Sequence, residues 1–401
     1  MTRKIDTTLT QKLTNRIDEI YPDVVEWRRY LHRNPELSYQ EFETTKWISE
    51  KLEGWGFEVL HPCETGCVAV LTGGMPNERV VALRADIDAL SIEEEGEAKQ
   101  AFLSKNAGVA HCCGHDTHTS NMLGTALLLS ELREHIRGTV VLIFQAAEEN
   151  LPGGGRLLTE TGILEKLNVG QIYGLHTYPQ LEPGKLAVRE GAMMASTSEF
   201  RIEILGKGGH AAAPHLAVDP IVIAAQVVQQ LQTIVSRNID PAEPAVVTVG
   251  KISGGSACNI IPEKVTLDGT IRTFDEQLTH RIFERMTTLS TQTARGSGGN
   301  ARTELFTGYP PVINHPETTR NLLETAGESV EIMENPVMAG EDFAFYQKHI
   351  PGTFFFLGSG SDEADSRYSW HHPKYNVDER CLKTGIKIMV TLALEVNSAE
   401  V

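Results

Sequence analysis

Thr139-Val140-Val141-Leu142-Ile143-Phe144-Gln145-Ala146-Ala147-Glu148-Glu149 opens as an apolar run and closes on two carboxylates. The run is short and apolar at consecutive positions, which predicts a strand buried on both faces. Strands of that kind belong to parallel sheets covered by helices. Working outward, the chain supplies both parts. Short β-type runs fall at 57–60, 68–71, 80–84 and 171–175. Leu13, Ile17, Ile20, Val24, Trp27 and Leu31 share a helical face, predicting a helix over 13–31 that breaks or kinks at Pro22. Asn34-Pro35-Glu36-Leu37 reads as a turn, and Ser38 with Glu41 reads as a capping box for a second helix reaching Leu52. A third helix is expected over 121–134. Strands alternating with helices indicate an α/β domain with a largely parallel sheet. Such sheets bind ligands beyond the carboxyl ends of their strands. Asp86 with Asp88, Glu148 with Glu149, and His176 each stand at such an end.

The pattern changes near Pro183-Gly184. Strand 199–205, helix 220–236, strands 246–252 and 265–273, helix 276–295 and strand 301–306 follow in the order β-α-β-β-α-β, a self-contained split unit. This predicts an inserted domain over 187–306, with 1–186 and 307–401 forming one discontinuous domain. A helix over 321–330, a strand over 353–357 and a helix over 380–399 complete the latter. A chain of 401 residues suits two domains.

Composition excludes several classes. A net charge of −17 argues against nucleic-acid backbones and anionic membranes as partners. No window approaches the roughly 18 apolar residues that span a bilayer. The opening residues carry no apolar core of a secretory signal. Six cysteines in 401 residues fit a reduced compartment, not a disulfide framework. A cytoplasmic location is expected.

The chemistry concentrates in Gly108-Val109-Ala110-His111-Cys112-Cys113-Gly114-His115-Asp116-Thr117-His118-Thr119. Gly114 lets the backbone fold tightly enough for Cys113 and His115 to converge. Thiolate, imidazole and carboxylate together suit zinc and its first-row neighbours. A Cys-x-His pair alone is more often a buried thiol beside a surface histidine. Here His111, Cys112, Asp116, His118 and the strand-tip carboxylates add weight to the metal reading. Glu148 and Glu149 face opposite sides in extended geometry, so one can hold a metal while the other acts as general base. His176 ends a strand on the side of Glu149. His371, in Trp370-His371-His372-Pro373, has no comparable argument.

These motifs resemble the metallo-amidohydrolases related to hippurate hydrolase, auxin-conjugate hydrolases and aminobenzoyl-glutamate hydrolases, within the aminoacylase and carboxypeptidase G2 superfamily. The resemblance runs through residues 27–37, 84–90, 111–119, 144–149, 174–176, 206–215, 254–262, 269–272, 340–343 and 371–379. It implies an aminopeptidase-like metallopeptidase domain and a ferredoxin-like inserted domain that forms a homodimer or higher homo-oligomer. It implies Cys113, His115, Glu149, His176 and His371 as ligands of two divalent ions (Zn, Mn, Co or Ni), with Cys113 between them and Glu148 as general base. Asp86 stands where the superfamily often has a ligand histidine. Asp88 becomes a carboxylate orienting a ligand histidine, with Asp116 and His118 as supporting groups. The register His-x-Pro favours His371 over His372. His210, in Gly206-Lys207-Gly208-Gly209-His210, would reach the other subunit's site and stabilise the oxyanion. Asn259 and Arg272 would hold the substrate carboxylate. Ala146, Ser91 and Ala110-His111-Cys112 depart from the family's usual residues without removing a ligand. Cys112 adds a thiol expected to make the site oxidation-sensitive. Gly153–Gly155 and Ser91-Ile92-Glu93-Glu94-Glu95 are places where substrate fit can differ.

The expected activity is hydrolysis of the amide bond of N-acyl amino acids or small peptide-like conjugates. Dipeptidase or carboxypeptidase action uses the same site. The competing classes are a cysteine hydrolase acting through Cys113 and a non-catalytic metal- or ligand-binding protein.

Overall fold

The computed structural model describes residues 6–396. They divide into two compact units. The first holds the chain up to Met193, Ile313–Pro336 and the chain from Asp342; the second holds Met194–Val312 and Val337–Glu341. Both crossings lie beyond the expected 186/187 and 306/307, and the short return at Val337–Glu341 has no counterpart in the sequence reading.

Helix α1 (Thr7–Arg33) buries Leu13, Ile17, Ile20, Val24 and Leu31 and continues through Pro22. Of the expected break or kink, the break does not occur. A proline inside a helix costs about 3 kcal/mol, but each large apolar side chain buried in the main core returns about 1.5–3 kcal/mol. The stripe of α1 places several there. Helix α2 (Phe42–Gly54) starts after Glu41, whose side chain makes no cap bond. The capping box is therefore not formed. Glu36 accepts the Glu43 and Thr44 N–H groups in its place.

Strands β1 (Glu58–Leu60), β2 (Cys67–Thr72) and β3 (Met75–Asp86) lead to α3 (His115–Glu131), then β4 (Arg137–Gln145), β5 (Gln171–Tyr178) and β6 (Leu186–Val188). Helix α3 begins at His115, not at Asn121, so the ligand-rich stretch forms its first turn. The second unit contributes β7 (Ser196–Leu205), α4 (Pro220–Asn238), β8 (Ala245–Gly254), β9 (Lys264–Thr273), α5 (Glu276–Gly296) and β10 (Asn300–Thr307). The returning chain adds α6 (Pro316–Ala326), β11 (Val330–Ile332), β12 (Gly352–Gly358) and α7 (Cys381–Val396). The last helix starts close to its expected position; its expected end at 399 lies outside the described residues.

The first unit's sheet has the order β1-β2-β4-β3-β5-β12-β6-β11. Its centre, β4-β3-β5-β12, is parallel. Antiparallel pairs flank it at β1–β2, β2–β4 and β12–β6. Parallel neighbours send their carboxyl ends to one edge, so the chain leaves β3 at Asp86, β4 at Gln145 and β5 beyond His176 on the same side. Helices α1, α3 and α7 pack on one another and share the main core with the sheet.

In the second unit, β8-β9-β7-β10 form an antiparallel sheet. Phe200, Ile202 and Ile204 alternate inward on β7 and meet Ile223, Val227 and Leu231 of α4 and Ile282 and Met286 of α5. Strand β8 is an edge and leaves Val246 and Ile252 exposed. Among the described residues, no helix is long and apolar enough to cross a membrane.

Candidate metal centre

The strand tips and the first turn of α3 converge. Ligand atoms of Cys113, His115 and His176 lie within 4.8 Å of one another, as do those of Cys113, Glu149 and His371, and those of His115, Glu148 and Glu149. All five expected ligands and the expected base thus share one small volume. Gly114 makes the turn possible. Its φ is +94°, and a Cβ there would lie 2.4 Å from Thr177 Oγ1 and 2.6 Å from the Tyr375 hydroxyl.

Four of the five expected ligands, His115, His176, Glu149 and His371, are held by a bond behind them. His115 Nδ1 donates to Asp88 Oδ1 at 3.1 Å, which leaves the Nε2 lone pair for a cation. His176 Nδ1 donates to the Thr177 carbonyl at 2.9 Å, leaving Nε2 at 3.4 Å from Cys113 Sγ. Asp88 Oδ2 accepts the Glu149 N–H at 3.0 Å and the Ser38 hydroxyl at 2.7 Å. Asp88 therefore orients one ligand through its ring and another through its backbone. His371 has a left-handed backbone, φ +64°. Its N–H donates to the Cys112 carbonyl at 2.8 Å, which seats it beside Cys113. Its Nε2 stands 3.2 Å from Glu149 Oε1. His372 turns elsewhere: its Nδ1 accepts the Lys374 N–H and its ring stacks on Tyr368.

The charges ask for a cation. Burial opposes a charged His115, yet the carboxylates of Asp86, Asp88 and Glu149 outweigh it and hold its pKa up at about 10. Burial, then the charges of Glu149, Glu148 and Asp86, push the Cys113 thiol far above its ordinary value. A thiol so placed is protonated at neutral pH and unsuited to act as a nucleophile on its own. Two buried atoms, His115 Nε2 and Glu149 Oε1, have no hydrogen-bond partner. A divalent cation would satisfy both, neutralise the carboxylates and hold Cys113 as thiolate. The mixed sulfur, nitrogen and oxygen donors suit first-row divalent metals. The residues fit the ions that the sequence implies.

Several expected roles change. Asp116 touches no metal ligand through its side chain. Its Oδ2 forms an ion pair with Arg28 Nε at 2.8 Å and accepts from His32 Nδ1 at 2.7 Å. Asp86 accepts Arg84 Nη1 at 2.7 Å and His118 Nδ1 at 2.6 Å. His118 Nε2 accepts the Thr177 N–H at 2.9 Å, bracing the end of β5. Cys112 is fully buried, and burial pushes its thiol to about 12, so the expected oxidation sensitivity does not follow. His111 is buried with an unpartnered Nδ1 and gains no role. The glycines after Pro152 serve packing: a Cβ on Gly154 would lie 1.8 Å from the Ala146 carbonyl oxygen. Glu94, within the acidic run, is tied to His32, Lys99 and the Ser104 N–H.

In the second unit, Gly209-His210 pairs with Ile260–Ile261 in a small antiparallel ladder. Ala211 N–H donates to the Asn259 carbonyl, which brings His210 and Asn259 together on adjacent strands of that ladder. His210 is exposed, and its Nδ1 accepts the Ala212 N–H at 3.1 Å. The ring proton therefore sits on Nε2, which points a donor outward. Arg272 is half-buried on β9, where it donates to the Ile271 carbonyl at 3.1 Å.

Three residues without an expected role also reach this region. Ser38 bonds Asp88, Glu41 accepts the Ala147 N–H at 2.8 Å, and the Tyr39 hydroxyl donates to the Asn150 carbonyl at 2.9 Å. Ser38 and Glu41 are the same pair that the sequence presents as a capping box.

Known proteins resemble this chain in sequence and fold. Residues 82–395 match the pattern of peptidase family M20/M25/M40. The N-acetyl-L-cysteine deacetylase of Bacillus subtilis is 40% identical over 358 residues, covering 88% of this chain and 83% of its own. The N-acyl-L-amino acid amidohydrolase of Geobacillus stearothermophilus is 44% identical over 308 residues, covering 77% and 82%. The crystal structure of the Bacillus subtilis YXEP protein, described as a dinuclear metal-binding peptidase from the M20 family, superposes with a TM-score of 0.83 at 36% identity, over 94% of this chain and 99% of that one. With two thirds of its length and more shared with such relatives, this chain belongs to the peptidase family M20/M25/M40.

Proposed function

We propose that the chain hydrolyses the amide bond of N-acyl amino acids, with Cys113, His115, Glu149, His176 and His371 holding two divalent ions and Glu148 acting as general base. The convergence of those side chains around two buried ligand atoms that make no hydrogen bond carries the reading. Relatives named for N-acetylcysteine and for N-acyl-L-amino acids support the substrate class. Divalent ions bound there supply Lewis acidity that acidifies a water and polarises the scissile carbonyl. Glu148 takes the water's proton as its oxygen adds to the carbonyl carbon. It returns that proton to the leaving nitrogen as the C–N bond breaks, releasing a carboxylic acid and an amine. Asp88 keeps His115 in the ligating tautomer throughout. His210 is the proposed donor to the oxyanion and acts on a partner subunit's substrate, while Asn259 and Arg272 hold the carboxylate of the amino-acid half.

A homodimer fits the second unit's own surface. The edge strand β8 exposes Val246 and Ile252, and α4 exposes Ile221 and Val222. An apolar edge of this kind calls for a cover. The cytoplasm suits a chain whose six cysteines are all free, and the net charge of −17 speaks against nucleic acid or membrane as partner.

The test is metal-reconstituted protein assayed on N-acetyl, N-benzoyl and aminobenzoyl amino acids and on dipeptides. Turnover on N-acyl amino acids is expected, lost on chelation and restored by zinc, manganese, cobalt or nickel. Glu148→Gln should lower kcat by about 10²–10⁴-fold while still binding metal. An active Glu148→Gln would sink the base assignment, chelator-resistant turnover would sink the metal reading, and cleavage of dipeptides alone would shift the assignment to a peptidase.

A further inference from the structure

Ser38-Tyr39-Gln40-Glu41 lies between α1 and α2 and supplies no expected ligand, base or substrate contact. Yet three of its side chains end around the loop that carries Glu148 and Glu149. Ser38 shares Asp88 Oδ2 with the Glu149 N–H. Glu41, fully buried, accepts the Ala147 N–H on Oε1 and the Thr65 hydroxyl on Oε2, each at 2.8 Å. The Tyr39 hydroxyl donates to the Asn150 carbonyl at 2.9 Å and accepts the Gly153 N–H at 3.2 Å.

The backbone explains why such bonds are needed. Ala147 has φ +52° and Tyr39 has φ +66°. Non-glycine residues stay in the left-handed region only where their surroundings hold them there. Ala147 is fully buried, so its N–H must find a protein acceptor, and Glu41 is that acceptor. Ala147 immediately precedes Glu148, so a rotation at Ala147 swings that carboxylate, while the Glu149 N–H stays anchored on Asp88 Oδ2. The far end of the loop is packed back as well, with the Gly154 N–H donating to the Ala147 carbonyl and the Gly155 N–H donating to Asp342 Oδ2.

We propose that Glu41 and Tyr39 are positioning residues that brace the loop from Ala147 to Gly153 and thereby aim Glu148 at the reacting water. The proposal rests on Glu148 being the base. Glu41 acts through the Ala147 amide, and Tyr39 acts through the two ends of the turn that follows Glu149.

The experiment uses full-length, metal-loaded protein and three variants. Glu41→Ala removes the acceptor, Glu41→Gln keeps an acceptor oxygen at the same reach, and Tyr39→Phe removes only a hydroxyl. A misaimed catalytic group costs about 10²-fold in rate, so kcat should fall about that much in Glu41→Ala, with KM within about twofold because ground-state binding is untouched. Glu41→Gln should stay within about threefold, and Tyr39→Phe should fall about fivefold as a partial release of the same loop. Amide hydrogen exchange over 146–153 should quicken in Glu41→Ala and Tyr39→Phe but not in Glu41→Gln, at unchanged metal content. Wild-type kcat despite quickened exchange overturns the brace, as does equal loss in the Gln and Ala variants, unchanged exchange, or a kcat loss that added metal reverses. Should Glu41→Ala fail to fold, Tyr39→Phe decides alone, and wild-type kcat there overturns the proposal. An active Glu148→Gln would remove the base assignment by itself, because the exchange comparison reads the brace independently of it.

Discussion

Asp88 takes the His115 ring N–H on one oxygen and the Glu149 N–H with the Ser38 hydroxyl on the other. Burial opposes its charge, and the bonds from His115, Glu149 and Ser38 outweigh that, holding its carboxyl below the usual range. In Asp88→Asn, one of the two faces must present an amide NH₂ to an N–H donor. Either His115 loses its tautomer or Glu149 loses its backbone anchor. Metal affinity should drop by about 10–100-fold, read by competition with a chromogenic chelator. Unchanged affinity would remove Asp88 from ligand orientation. Residues of this kind differ in how legible they are. Cys113, His115 and the Glu148-Glu149 pair can be read because their chemistry clusters along the chain. His371 cannot be, since a bond to the Cys112 carbonyl and a left-handed turn bring it in. Glu41 is misread because its spacing from Ser38 also fits a helix cap. The partner that wins lies 106 residues away, at Ala147.

At the scale of elements, the ligand-bearing turn of α3 is locked to α1 by buried charge. Arg28 and His32, one turn apart on α1, both meet Asp116 Oδ2, Arg28 as an ion pair at 2.8 Å and His32 as a hydrogen-bond donor at 2.7 Å. His32 Nε2 continues to Glu94 Oε1 at 2.5 Å, where Lys99 Nζ also arrives at 2.7 Å. The apolar stripe of α1 is legible as periodicity. Its passage through Pro22 is not, because local propensity predicts a break that burial overrides. The Asp116 link is equally hidden, since a carboxylate beside His115 reads as a metal-site group until its partner on another helix is known. This network makes a pH prediction. Burial opposes the Glu94 charge, but the bonds from His32 and Lys99 outweigh it and hold its pKa at about 2, below an ordinary 4.5. A depressed carboxyl contributes stability above its unfolded pKa and loses it as pH falls toward the folded value. The shift corresponds to about 3 kcal/mol before solvent screening reduces it. Glu94→Gln should therefore be less stable than wild type at neutral pH, with the gap narrowing as pH falls from about 5 toward about 3. Urea unfolding at stepped pH measures this; a gap independent of pH would mean that Glu94 acts by shape and not by charge.

Across the whole molecule, the alternation of strand and helix periods makes the second unit's order readable, because β7, α4 and α5 each have one buried and one exposed face. Its purpose is less readable. His210 is exposed on a short two-stranded ladder, with the Ala212 N–H filling Nδ1 and the proton left on Nε2. That tautomer is ready to donate to an oxyanion, and losing such a donor costs about 10²–10³-fold in kcat. Whether it serves its own chain or another can be decided by complementation. His210→Ala and Glu148→Gln homodimers should both be nearly inactive. In a hybrid of the two, the site on the His210→Ala chain keeps its own Glu148 and receives His210 from the other chain. The site on the Glu148→Gln chain lacks both groups. Random re-association of equal amounts makes half the dimers hybrid, each with one complete site, so activity should return to about one quarter of wild type. Two affinity tags would isolate the hybrid and raise the figure to about one half per dimer. If His210 acted within its own chain, neither site of the hybrid would be complete and no activity would return, while a fully active His210→Ala homodimer would end its role in the chemistry.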